Sequence, residues 1–98
     1  MTRRSKMEIY IDILRVISEG NHKPTHIMYR ANLSWERLKR YLQFLGSQGL
    51  LKNVERTQGS NFELTEKGRE LLKYFRKIEG MLYYKRKALP SEVVVHFT

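Results

Sequence analysis

The residues with the most evident chemical capacity in this chain are cations, and the most telling of them share one short segment. Arg37, Lys39, Arg40 and Gln43 are interleaved with Leu38, Leu42 and Leu45, which recur at helical spacing. At 100° per residue with the leucines turned inward, Glu36, Arg40, Gln43 and Ser47 fall on the opposite side. Arg37 and Phe44 lie on one flank of that side and Lys39 on the other. A guanidinium pairs bidentately with a guanine edge and a carboxamide with an adenine edge, so Arg37, Arg40 and Gln43 are candidate base readers. The competing reading is a solvated helix face. For Glu36 three roles are open: cytosine reader, brake on indiscriminate binding, or i,i+4 partner of Arg40, the last being favoured.

Catalysis has little to work with. His22, His26 and His96 are widely separated, and none has the carboxylate or imidazole spacing of a metal site. There is no glycine-rich phosphate loop, and no Ser-His-Asp grouping stands out. The absence of cysteine removes disulfides, thiolate zinc sites and thiol nucleophiles. The expectation is a protein that is not an enzyme and uses no cofactor or metal.

Charge points to the partner. Nineteen Lys and Arg against ten Asp and Glu leave +9 on 98 residues, a surplus suited to nucleic acid or an anionic membrane surface. The cations are unevenly spread: residues 30–52 hold five against Glu36 alone, and residues 73–87 hold six against Glu79 alone. Between Glu8 and Glu19, by contrast, carboxylates outnumber the single Arg15, as in a scaffold helix facing away from a polyanion. At 41% hydrophobic and 11% aromatic the chain is too apolar for disorder, and its length suits one core. No apolar run approaches the roughly 20 residues of a membrane span, and no signal-peptide stretch follows the charged start. The expected setting is cytoplasmic and nucleoid-associated, without a membrane partner.

Several elements must position these groups. Ser5 and Glu8 have capping-box spacing and open a first helix over about residues 6–19, carrying Ile9, Tyr10, Ile13, Leu14 and Ile17 and stopped by Gly20. After an extended connection at Pro24, Thr25 is the expected cap of a short second helix with Ile27, Met28 and Ala31. Asn32-Leu-Ser34 reads as a tight turn in which Ser34 caps a third helix, residues 35–48, ended by Gly49. Residues 50–56 and 62–64 are expected strands around a polar turn at 57–61. Thr65 then opens a fourth helix to about residue 87, followed by an apolar tail. This order is that of a winged helix-turn-helix: α+β, mainly helical, with the hairpin as wing and the third helix placed to enter a major groove.

The residues Arg4-Ser-Lys-Met-Glu-Ile9, Asp12-Ile-Leu14, Thr25 through Ser34 and Leu64-Thr-Glu-Lys-Gly68 resemble those of the archaeal winged-helix DNA-binding proteins. That group includes small basic chromatin proteins of Sulfolobus and many predicted transcription regulators. The similarity covers about residues 3–75, and Thr25–Ser34 is its most specific block. It implies double-stranded DNA binding without a cofactor, and homodimers joined through a long C-terminal helix as an antiparallel coiled coil. Here Trp35 stands where many relatives have Tyr, Gly80 interrupts the fourth helix, and Pro90 with a valine-rich tail replaces a longer helix.

On this reading residues 1–68 form the DNA-binding domain, 69–89 a dimerisation helix and 90–98 an extended tail. Arg3, Arg4 and Lys6 make a basic arm, either disordered or wrapped on the DNA backbone. Ser34 presents backbone N–H groups to a phosphate at the helix start, while His26 and Arg30 are candidate phosphate contacts beside the turn. Tyr29 is divided between phosphate contact and core, and for Trp35 packing is favoured over stacking. Arg56, Gln58 and Ser60 place the wing, residues 56–61, along the minor groove or a phosphate run. Leu71, Phe75, Ile78 and Leu82 are spaced 4, 3, 4 as a dimer seam, widened by Tyr74, with its first turns also packing on the chain's own core. Two other readings stay open: an RNA-binding winged helix that stacks bases on Tyr29, Trp35 and Tyr83, and a protein-interaction module whose charge serves solubility alone.

Overall fold

The structure, a computed structural model, describes residues 4–57 and 59–88, with side chains as far as Leu82. Arg3, Gln58, Leu89 at the end of the expected dimerisation helix and the tail 90–98 lie outside the described residues, and so does the side chain of Tyr83. The order is α1 (Lys6–Ser18), α2 (Pro24–Ala31), α3 (Trp35–Ser47), β1 (Leu51–Arg56), β2 (Gly59–Leu64) and α4 (Glu66–Ala88).

Helix α1 is the centre of the core. Its capping box is complete: Ser5 Oγ accepts from the Glu8 amide at 3.1 Å and Glu8 Oε1 accepts from the Ser5 amide at 2.7 Å. Ile9, Ile13, Leu14 and Ile17 are buried as their spacing predicts, and so are Ile11 and Val16. The buried arc is therefore wider than one stripe, because α2, α4 and β2 all pack on α1. Gly20 follows with φ +103°, a conformation that costs glycine little and ends the helix.

Helix α2 does not begin as expected. Lys23 occupies the N-cap position without a side-chain cap bond and Pro24 is the first helical residue, so Thr25 is not the cap. Proline has no N–H to leave unsatisfied and its φ is already helical, which sets the start ahead of Thr25. The turn after α2 is built on Asn32 in the left-handed conformation (φ 56°, ψ 55°), tolerated by Asn better than by most side chains. Buried Leu33 pins the turn, and its amide reaches the Met28 carbonyl at 3.1 Å.

The hairpin is longer than the sequence suggested. β1 and β2 pair antiparallel from Leu51↔Leu64 to Arg56↔Gly59, so the second strand starts at Gly59 rather than Phe62. Gly59, Ser60 and Asn61 are weak strand formers, yet their backbone groups are paired by β1, and pairing outweighs propensity. The hairpin is rooted on the loop after α1, where Phe62 N donates to the His22 carbonyl at 2.8 Å. On the other side, His22 Nδ1 lies 3.0 Å from the Phe62 carbonyl.

Helix α4 starts on a tight junction. Thr65 Oγ1 accepts from the Gly68 amide at 3.0 Å and donates to the Gly49 carbonyl, while Lys67 Nζ donates to the Gln48 carbonyl at 2.8 Å. The motif Leu64-Thr-Glu-Lys-Gly68 thus ties the end of α3 to the start of α4. Farther along, Arg15 on α1 makes two bonds to the Glu79 carboxylate at 3.0 and 3.2 Å, fixing the path of α4 across the domain.

Candidate nucleic-acid interface

The reading face is carried by α3, and local chemistry fixes where it points. Ser34 Oγ accepts from the Arg37 amide at 3.3 Å, so the helix starts where the sequence placed its cap. Leu38, Leu42 and Leu45 are buried. Tyr10 of α1 stacks on Phe44 at 5.0 Å between centroids and meets Tyr41 edge to face at 5.6 Å. Such ring pairs contribute about 0.5–1.5 kcal/mol beyond simple burial. The helix is therefore held on one side by leucines and near its end by an aromatic cluster.

With that side spoken for, Glu36, Arg37, Lys39, Arg40, Gln43 and Ser47 all face solvent. Among the described residues, the side chains of Arg37, Lys39, Arg40 and Gln43 have no hydrogen-bond or ion-pair partner. The favoured Glu36–Arg40 pair is not formed. Elsewhere the arginines are engaged, including Arg4, Arg15, Arg30, Arg56, Arg69 and Arg76. The outer face of α3 is thus a set of strong donors left available to an external acceptor.

The remaining candidates divide into free and committed groups. Lys6 and His26 are exposed on the first turns of α1 and α2. Arg30 is exposed and lies 3.7 Å from Glu19, a pair that solvent screens to little net energy. Arg56 bonds Glu63 at 2.5 Å, and Ser60 Oγ donates to its cross-strand partner Glu55 at 2.9 Å, so the wing's polar groups are partly satisfied within the hairpin. Tyr29 is 77% exposed and Trp35 48% exposed, so the packing favoured for Trp35 is only partial.

Arg4 does something different from a loose arm. Its guanidinium donates to Asp12 and to the Ala31 carbonyl at 2.8 Å each, and to the Asn32 carbonyl at 3.0 Å. The last carbonyls of α2 lack helical partners and carry the negative end of its dipole, which is what a planar five-donor cation satisfies well. Arg4 therefore clamps the turn that orients α3. This role and that of His22 at the wing root were not legible in the sequence, because the partners lie 27 to 40 residues away.

On α4, Leu71 and Phe75 are half-buried against the domain's own core. Tyr74, Ile78, Met81 and Leu82 are between 51% and 65% exposed and share the outer flank of the helix. Of the seam residues named from spacing, then, Tyr74, Ile78 and Leu82 are available to another molecule, with Met81 added. Leu71 and Phe75 are partly used within the chain.

A family model described as winged helix-turn-helix matches residues 3–82. An uncharacterized protein of Methanocaldococcus jannaschii is 44% identical over 69 residues, which is 70% of this chain and 67% of that protein. A second uncharacterized protein of the same organism is 31% identical over 81 residues, and the chain spans 83% of itself but only 36% of that longer relative. Among solved structures, Sso10a-2, a DNA-binding protein from Sulfolobus solfataricus, aligns with a TM-score of 0.67 and 31% identity over 89% of this chain and 94% of its own.

Proposed function

The chain belongs to the archaeal winged helix-turn-helix family, and on that footing we propose that it is a double-stranded DNA-binding protein acting as a homodimeric transcription regulator or nucleoid-associated protein. The observation that carries this reading is the outer face of α3, where Arg37, Lys39, Arg40 and Gln43 project without partners among the described residues from a helix locked by buried leucines. In the proposed complex α3 lies in the major groove, with Arg37, Arg40 and Gln43 on base edges and Lys39 on phosphate. Ser34, His26, Arg30, Lys6 and Arg3 contact phosphates around it. The wing, with Arg56, Gln58 and Ser60, lies along the adjacent groove or backbone. That Sso10a-2 is described as DNA-binding supports the assignment.

Dimerisation is part of the proposal. Tyr74, Ile78, Met81 and Leu82 form an apolar flank on a helix of 23 residues. Pairing with the same flank of a second copy buries it, as an isologous contact does.

Fluorescence anisotropy of random-sequence duplex DNA, titrated with protein across a salt series, tests the reading. A log–log slope near −0.9 for each phosphate neutralised is the expected result. The exposed Tyr29 and Trp35 favour a second reading, stacking on unpaired bases, so single-stranded RNA of the same length is the necessary comparison. Tighter binding to that strand would move the assignment to RNA. Weak binding that ignores salt would favour a protein-interaction module. Between regulator and architectural protein, the deciding quantity is the ratio of specific to non-specific affinity, at least about a thousandfold for a regulator.

A further inference from the structure

Beside the DNA-reading face the domain has a second candidate site, a cleft of about 470 Å³ between the end of α1, strand β2 and the first half of α4. Among the described residues, none of α3 or of the wing's turn lines it. Its apolar lining is Ile17, Leu64 and Leu72, all buried. Its rim is cationic: Arg69, Lys73 and Arg76 stand on successive turns of one flank of α4, at i, i+4 and i+7.

The two arginines are held in place from opposite walls. Arg69 donates to the Leu64 carbonyl at 3.1 Å, and Arg76 donates to Ser18 Oγ at 3.2 Å. Ser18 has its own proton committed to the Arg15 carbonyl at 2.7 Å, which leaves its oxygen to accept. Both acceptors are neutral, so among the described residues neither guanidinium charge is compensated, and each group retains further N–H donors. Lys73, between them, has no partner among the described residues. The one carboxylate lining the cleft among the described residues, Glu63, is already bonded to Arg56 at 2.5 Å.

Like charges one helical turn apart repel, and an anion seated among them converts that repulsion into attraction. A bare inorganic anion has no use for the apolar lining, whereas a carboxylate on a hydrocarbon body uses both parts of the cleft. We propose that this cleft is a binding site for a small organic carboxylate, its charge between Lys73 and the two guanidiniums and its apolar body against Ile17, Leu64 and Leu72. The site stands apart from the DNA reading, and its test needs no DNA to succeed.

The test is a titration of the full ¹⁵N-labelled chain with benzoate, with its neutral isostere benzamide and with inorganic phosphate, followed by amide shifts. Saturable benzoate shifts at Ser18, Leu64 and Lys73, with benzamide and phosphate each at least about tenfold weaker, are expected. Lys73→Ala, which removes an exposed side chain without partners, is expected to keep the spectrum of the folded chain and weaken benzoate at least about threefold. Lys73→Gln with Arg76→Gln is expected to remove saturation altogether. Equal affinity for benzamide, equal affinity for phosphate, or no saturable shift at these amides would each overturn the proposal. So would a duplex DNA titration that shifts these amides more than those of α3, since the cleft would then be a DNA backbone contact.

Discussion

Gly68 sits so close to Leu50 that a Cβ on the glycine would overlap the Leu50 carbonyl oxygen. That same carbonyl accepts from the Thr65 amide at 3.1 Å, so it is held in place and has no room to retreat. The approach joins Leu50, the residue before β1, to the first turn of α4. It explains physically why the final Gly of Leu64-Thr-Glu-Lys-Gly68 belongs to the motif.

The consequence is a pair of glycine substitutions with opposite signs. Gly68→Ala forces backbone apart and is expected to destabilise the fold by about 3 kcal/mol or more. Gly46→Ala, in α3 with open space around its Cβ position, is expected to stabilise it by about 0.5–1 kcal/mol through helix propensity. Urea midpoints at one protein concentration measure both. A Gly68→Ala chain as stable as the parent would show that the junction is looser than described.

On α3 the expected losses differ in kind. Arg37→Ala, Arg40→Ala and Gln43→Ala are each expected to weaken binding at a preferred site by about 1–3 kcal/mol, with a smaller effect on random duplex. Lys39→Ala is expected to weaken all sequences alike and reduce the salt slope by about one. A site-selection experiment followed by anisotropy on selected and random duplexes separates the two patterns. Equal losses on every sequence for Arg37 and Arg40 would remove their base-reading role.

Arg4 supplies a sharper distinction. As a clamp on the Ala31 and Asn32 carbonyls it acts on DNA only by orienting α3. Arg4→Ala is therefore expected to lower stability by about 1.5–3 kcal/mol, the range for hydrogen bonds to a charged group. It is also expected to weaken DNA binding while leaving the salt slope unchanged. A slope that falls by about one, with stability intact, would return Arg4 to the phosphate-binding arm.

What was legible in the sequence was mostly local. Ser5 with Glu8, and Ser34 at the start of α3, act within three residues, so spacing alone identified them. The leucine spacing of α3 likewise set its outer face, because one buried stripe defines the opposite one. Only the first half of the strand that begins at Gly59 was not legible, because Gly59, Ser60 and Asn61 are not β-favouring and pairing with β1 places them in the ladder. Arg4 has the sequence context of a basic arm for a related reason: nothing near it in the chain says that Ala31 and Asn32 fold back onto it. The rotation of α4 splits the residues expected as its seam, the first turns packing on the chain's own core as their spacing suggested. Gly68 and Leu72 turn toward the core, drawing Leu71 and Phe75 partly with them and leaving Tyr74, Ile78, Met81 and Leu82 outside.

That rotation decides how the dimer is to be tested. Phe75→Asp places a carboxylate beside the domain's own core, so loss of dimers in that variant would be confounded with loss of fold. Ile78→Asp with Leu82→Asp alters exposed positions only, where an added carboxylate meets solvent in the described chain. The double variant is expected to give monomers on size-exclusion chromatography with light scattering, with an unchanged far-ultraviolet circular dichroism spectrum. Its DNA affinity is expected to fall by about a hundredfold or more, because two linked half-site contacts become one. Dimers that persist would place the interface elsewhere than on this flank of α4. Monomers that bind duplex as tightly as the parent would show that one winged helix is the complete binding unit.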